Sequence, residues 1–149
     1  MGKEPVVPAV KKQDLTYSTG GGTPPVRIYT PENAGSGPLP IIVYYHGGGW
    51  VIADIDTYEA SALALATKAK AIVVSVEYRR APEAKVPASH EDAFAGYKWA
   101  LENAASFGGD PKKVAVAGES AGGNLAISVA IMARDQKLQE PLQMLLVYP

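Results

Sequence analysis

Four short runs of β-branched and other apolar residues set the narrowest limit on how this chain can fold. They are Ile41-Ile42-Val43-Tyr44-Tyr45, Ile72-Val73-Val74-Ser75-Val76, Val114-Ala115-Val116-Ala117 and Met144-Leu145-Leu146-Val147-Tyr148. None alternates apolar with polar, so each reads as a strand covered on both faces. The segments between them carry helical spacing. Thr57 to Lys70 has Thr57 as an N-cap and Tyr58, Ala62, Leu65 and Ala69 on one face. Ser89-His90-Glu91-Asp92 opens a second helix as a capping box. Its buried stripe is Ala93, Phe94, Tyr97, Leu101 and Ala104, with Glu91, Lys98 and Glu102 turned outward. Ser120 to about Asp135 is apolar almost all round (Leu125, Ile127, Val129, Ile131, Met132), which predicts a buried helix. Strands alternating with helices predict right-handed βαβ units, hence an α/β fold with a mostly parallel sheet and helices on both faces.

Upstream of this pattern, Asp14–Ser18 and Val26–Thr30 alternate as an antiparallel hairpin would, with Gly20-Gly21-Gly22 in a long turn between them. Residues 1–13 read as a flexible lead-in, Pro31 to Pro40 as a surface loop, and Gly108 to Pro111 as a turn. The chain has 149 residues, enough for one domain with a real core, and residues 14–149 make up that domain. A net charge of −1 offers no electrostatic case for nucleic acid or an anionic membrane surface. The pairs Lys11-Lys12, Arg79-Arg80 and Lys112-Lys113 read as solvated surface. There is no cysteine, which removes disulfides, thiolate zinc sites and thiol catalysis. No secretory-type leader and no membrane-length apolar run is present, so a cytoplasmic protein is expected.

The chemistry-bearing stretch is Gly118-Glu119-Ser120-Ala121-Gly122, a G-x-S-x-G sequence between a predicted strand and a predicted helix. Ser120 could be an ordinary N-cap serine. A cap, however, needs no glycine two residues before it and two after, whereas a serine exposed on a sharp turn does. Ser120 is therefore the candidate nucleophile, with the Ala121 amide aimed at a developing oxyanion from a helix N-terminus. Gly47-Gly48-Gly49 directly follows the Ile41–Tyr45 strand. In a parallel sheet the loops after strand C-termini share one edge, so this loop and Ser120 should meet there.

Taken together, HGGGW at 46–50, EYRRAPE at 77–83, FGGDP at 107–111 and GESAGGNLA at 118–126 resemble the hormone-sensitive-lipase-like branch of the α/β-hydrolase esterases. The resemblance implies an α/β-hydrolase fold and a serine carboxylesterase of small esters. It also implies Ser120 as nucleophile, Gly48, Gly49 and Ala121 as oxyanion amides, and His46 as a brace for the loop. Gly47, Gly118, Glu119 and Gly122 complete the two motifs. Glu119 stands where an aspartate is frequent, Arg80 where an apolar residue is usual, and Ala53 where glycine is common. The helical cap that usually precedes the first strands has no counterpart in residues 1–13.

In this fold the triad follows the chain order Ser, Asp or Glu, then His. After Ser120 there are Asp135 and Glu140 but no histidine. His46 and His90 are the two histidines of the chain. His46 is assigned to the loop, and His90, in the first turn of a helix, reads as a surface or capping residue. The expectation is an N-terminal half, truncated after the strand at about 144–148, with the C-terminal strands and the triad acid and base absent and with little activity by itself. The alternative is a non-catalytic small-molecule-binding or interaction protein on the same fold. No metal site, P-loop or dinucleotide fingerprint is present, so no cofactor is expected. The expected partner is a small-molecule ester. The apolar run at 144–148 would leave an open edge, suited to a homodimer or to a missing C-terminal segment.

Overall fold

The computed structural model describes residues 9–32 and 34–149. Its elements in chain order are strands β1 (Val10–Thr16), β2 (Pro25–Pro31) and β3 (Leu39–Tyr45), helix α1 (Glu59–Ala69), strand β4 (Ile72–Val76), helix α2 (Ala88–Asn103), strand β5 (Gly109–Glu119), helix α3 (Ala121–Asp135) and strand β6 (Met144–Val147). The strands form one sheet in the order β1-β2-β4-β3-β5-β6. β4, β3, β5 and β6 run parallel, while β1 and β2 are antiparallel to each other and β2 is antiparallel to β4. The α/β architecture is the one that the four apolar runs imply, but β6 is mostly exposed and not covered on both faces as its run predicts, since Leu146 alone of its side chains packs against the core that α3 covers.

Both faces of the central strands are covered. On one face Ile41, Val43 and Tyr45 of β3, Ile72, Val74 and Val76 of β4, and Val114 and Val116 of β5 pack with Phe94 and Tyr97 of α2 and Leu125 and Val129 of α3. On the other face Tyr29, Tyr44, Val73 and Ala117 meet Ala62 and Ala66 of α1. Burying a single side chain of this size contributes about 1.5–3 kcal/mol. β1 and β6, whose side chains are mostly exposed, contribute least to this core.

Several boundaries depart from the sequence reading. β1 starts at Val10, inside the expected lead-in, because Val10 to Gln13 pair with Pro31 to Ile28 and Lys12 reaches Glu59 at 3.2 Å. Residues 1–8 lie outside the described residues. Thr57 does not cap α1. Its N–H and hydroxyl both donate to Asp54 Oδ1 at 2.8 Å, closing a turn before the helix, and Tyr58 takes the cap position. Ser89 sits inside the first turn of α2, since Pro87 holds the cap position and Asp92 is turned to Arg79 instead. Gly109 to Pro111 belong to β5, with Gly109 opposite Leu39, and the turn falls at Gly108. α3 is not buried all round: Ile131 is 44% exposed, because the helix covers the sheet with one face only.

Candidate active site

The elbow forms where β5 ends and α3 begins. Ser120 has φ 54° and ψ −118°, a backbone state that L-residues adopt only when their surroundings hold them there. Its amide donates to the Val147 carbonyl of the neighbouring strand at 2.9 Å, and its carbonyl accepts from the Asn124 amide at 3.1 Å, closing the first turn of α3. Both flanking glycines are required by contact. A Cβ on Gly118 would lie 2.1 Å from the Gly122 carbonyl oxygen, and one on Gly122 would lie 1.9 Å from the Tyr45 carbonyl oxygen. The turn folds back on itself and against the end of β3, so neither position has room for a side chain. Ala121 is the first residue of α3. The first amides of a helix have no partner within it and are free to serve an anion.

The glycine loop meets the elbow through strand register. Tyr45 of β3 stands opposite Gly118 of β5, so the two chains leave the sheet side by side, at His46 and at Glu119. Gly47 is wedged between the two loops: a Cβ there would be 2.9 Å from the Glu119 carbonyl oxygen and 2.7 Å from the Tyr58 hydroxyl. Gly48 has φ 122°, and a Cβ on it would meet the Ile52 carbonyl oxygen at 2.0 Å. Gly49 has φ 61°. The Gly48 carbonyl accepts from the amides of Val51 and Ile52, at 3.1 and 2.9 Å. The Glu119 carboxylate accepts a hydrogen bond from Tyr148, which holds that phenol above its ordinary range.

His46 is fully buried. Its Nε2 lies 2.7 Å from Glu77 Oε1, and its Nδ1 lies 2.7 Å from the Gly47 carbonyl oxygen. The Tyr78 ring stacks on the imidazole at 4.4 Å, and the Tyr78 hydroxyl donates to the His46 carbonyl at 2.7 Å. Burial first, then the nearby Glu77 carboxylate, push the Tyr78 phenol well above its usual range. His90 lies in the first turn of α2, with Nε2 3.4 Å from Asn124 Oδ1 and Nδ1 3.4 Å from Ser89 Oγ. Both of its ring nitrogens thus face groups other than Ser120.

Two supporting residues escape the sequence reading. Arg79, expected on the solvated surface, grips Asp92 with its amide, Nε and Nη2 at 2.9, 2.9 and 2.8 Å, and Asp92 is fully buried. The hairpin turn rests on this pair, since a Cβ on Gly21 would strike the Arg79 guanidinium. Gly20-Gly21-Gly22 is therefore a packing surface as well as a turn. Glu77 joins His46 to the Ile55 amide, which donates to Oε2 at 3.2 Å. Only the charged string at 77–83 hinted at either residue, because their partners lie far away in sequence.

A profile of the α/β-hydrolase fold matches residues 42–149. The chain belongs to this family, in its hormone-sensitive-lipase-like carboxylesterase branch. It is 46% identical over 145 residues to carboxylesterase NlhH of Mycobacterium tuberculosis, covering 97% of this chain and 45% of that protein. It is 43% identical over 141 residues to the carboxylic ester hydrolase LipN of the same species, covering 91% of this chain and 37% of that protein. Among solved structures, the esterase of the archaeon Pyrobaculum calidifontis superposes with TM-score 0.86 at 44% identity, covering 90% of this chain and 43% of that one. The thermostable carboxylesterase EstE1 from a metagenomic library superposes with TM-score 0.91 at 39% identity, covering 97% and 49%. The chain thus spans less than half the length of these relatives. Among the described residues, no helix is long and apolar enough to cross a membrane.

Proposed function

We propose that this chain carries the nucleophile and the oxyanion hole of a serine carboxylesterase acting on small esters. The observation that carries the reading is the backbone of Ser120, φ 54° and ψ −118°, held between two positions that exclude any side chain. In this reading Ser120 Oγ attacks the ester carbonyl and the carbonyl π electrons move onto oxygen. The amides of Ala121, Gly48 and Gly49 bind that oxyanion. Collapse expels the alcohol and leaves an acyl-serine, which water then hydrolyses. A general base takes the Ser120 proton and returns it to the leaving alcohol. Neither histidine of this chain fits that role, since His46 is committed to Glu77 and Gly47 and His90 faces Asn124 and Ser89. The base and its orienting acid are therefore assigned to sequence outside these 149 residues.

The reading is tested with p-nitrophenyl butyrate. The full-length protein should turn it over and lose that activity in Ser120→Ala, while the 149-residue chain alone should show no steady turnover. Steady turnover by the short chain that vanishes in Ser120→Ala would contradict the assignment of the base. A full-length reading frame without an acid and a histidine beyond Pro149 would instead favour a non-catalytic binding protein, the reading that the commitment of both histidines also supports.

A further inference from the structure

The glycine loop cannot hold its own shape. Between Gly48 and Ala53 four residues have positive φ: Gly48 at 122°, Gly49 at 61°, Trp50 at 62° and Ala53 at 70°. Two of them, Trp50 and Ala53, carry side chains and pay a conformational penalty there that the surroundings must offset. The loop's own backbone supplies only the two bonds to the Gly48 carbonyl in this stretch. Trp50 packs against the core, and the remaining hydrogen bonds to this stretch come from one neighbouring segment, residues 77–81, which leaves the sheet after β4. The Ala81 amide donates to the Trp50 carbonyl at 2.8 Å. Arg80 Nη1 donates to the Ala53 carbonyl. The carbonyls of both side-chain-bearing positive-φ residues are thus held by this segment. Glu77 holds the two ends of the loop with one carboxylate, His46 on Oε1 and the Ile55 amide on Oε2.

Glu77 is itself fixed. Its amide donates to the Pro25 carbonyl of β2 at 3.2 Å, and its carbonyl accepts from the Tyr17 hydroxyl. Its side chain is 13% exposed, so its bonds to His46 and Ile55 face little competition from water.

We infer that Glu77 is a positioning residue for hydrolysis: its carboxylate sets the conformation of residues 46–55 and, through it, the direction of the Gly48 and Gly49 amides. This rests on the proposed role of those amides as oxyanion donors. Such donors act only when they are already aimed at the point where charge develops, so a loosened loop slows the chemical step and leaves ground-state binding nearly intact. An amide at position 77 can meet both loop partners and gives up only the long 3.3 Å contact from the Tyr78 amide. Its oxygen accepts from Ile55 N–H, and its NH2 donates to His46 Nε2 while the Nδ1–H turns to the Gly47 carbonyl. The conservative variant is therefore expected to rescue what truncation loses.

The test uses the full-length protein with Glu77→Ala, Glu77→Gln and Ser120→Ala, p-nitrophenyl butyrate kinetics, and hydrogen exchange of the peptide covering residues 47–55. Glu77→Ala should lower kcat about a hundredfold with KM within about threefold, and exchange in 47–55 should quicken at least about tenfold while α2 and α3 keep their protection. Glu77→Gln should restore kcat to within about fivefold and return the exchange to near the wild-type rate. Wild-type kcat and wild-type exchange in Glu77→Ala would overturn the proposal, as would a folded Glu77→Gln no better than Glu77→Ala. If Glu77→Ala does not fold, Glu77→Asp, whose carboxylate is one methylene too short to reach both His46 and Ile55, takes its place under the same criteria. Turnover that survives Ser120→Ala would overturn the nucleophile reading instead, and the exchange measurement would still judge Glu77.

Discussion

At the scale of single residues, the site is held by groups whose partners are distant in sequence. Asp92 is fully buried and satisfied by three donors from Arg79, whose side chain remains 31% exposed. The two ends of this pair should not respond alike. Arg79→Ala leaves the buried carboxylate with the backbone amide of residue 79 as its one remaining donor of the three, and should cost about 3 kcal/mol, the lower end for a broken buried pair because that bond persists and water can reach Arg79's side. Asp92→Ala leaves a guanidinium that can turn to solvent and should cost visibly less. Urea denaturation of the two variants checks the order, and equal losses would show that the burial of Asp92 is not what matters. The same asymmetry explains why the Arg79-Arg80 pair misleads as a sequence signal. Basic residues side by side look solvated until the fold brings a buried carboxylate to one of them.

At the scale of elements, the approach to α1 is a pH-sensitive joint. Asp54 accepts from the Thr57 amide and then from the Thr57 hydroxyl, which holds its carboxyl below the usual aspartate range. A carboxyl depressed in the folded state stabilises it above the unfolded aspartate value of about 3.9, and that contribution is lost as pH falls through the folded value. Asp54→Ala should therefore be less stable than the parent at neutral pH, and the difference should close in strong acid. Thermal melts across that range test it; a difference independent of pH would show that the turn is held by something else. The helix starts were the least legible elements. Thr57 and Ser89 both satisfy the local rule for a cap, but Asp54 takes the first and Arg79 draws Asp92 away from the second. The strand runs were the most legible, since continuous apolar sequence has few other uses at that length.

At the largest scale, β6 is the outermost strand beside β5 among the described residues, and its apolar side chains are mostly open. β6 pairs with β5 on one side, while Leu142, Leu145 and Tyr148 are 66%, 52% and 71% exposed. Exposed strand edges with apolar faces recruit other chains. The 149-residue chain should therefore elute from a sizing column as a dimer or larger species at micromolar concentration, and Leu145→Lys should shift it toward monomer. A well-folded monomer of the parent sequence would contradict this.

What the sequence determined by itself is whatever depends on local covalent pattern. The four apolar runs specify the parallel strands, and the glycines around Ser120 specify a turn too tight for any other residue. The placement of Gly47, at the start of the glycine loop, against the elbow also follows, because parallel strands bring their C-terminal loops to one edge. Only the tertiary structure decided how that edge is held. The carboxylate of Glu77 between His46 and Ile55, and the grip of Arg79 on Asp92, depend on side chains meeting across 13 to 31 residues of chain. Pairings at that separation are set by the packing of the sheet and leave no periodic trace in the sequence.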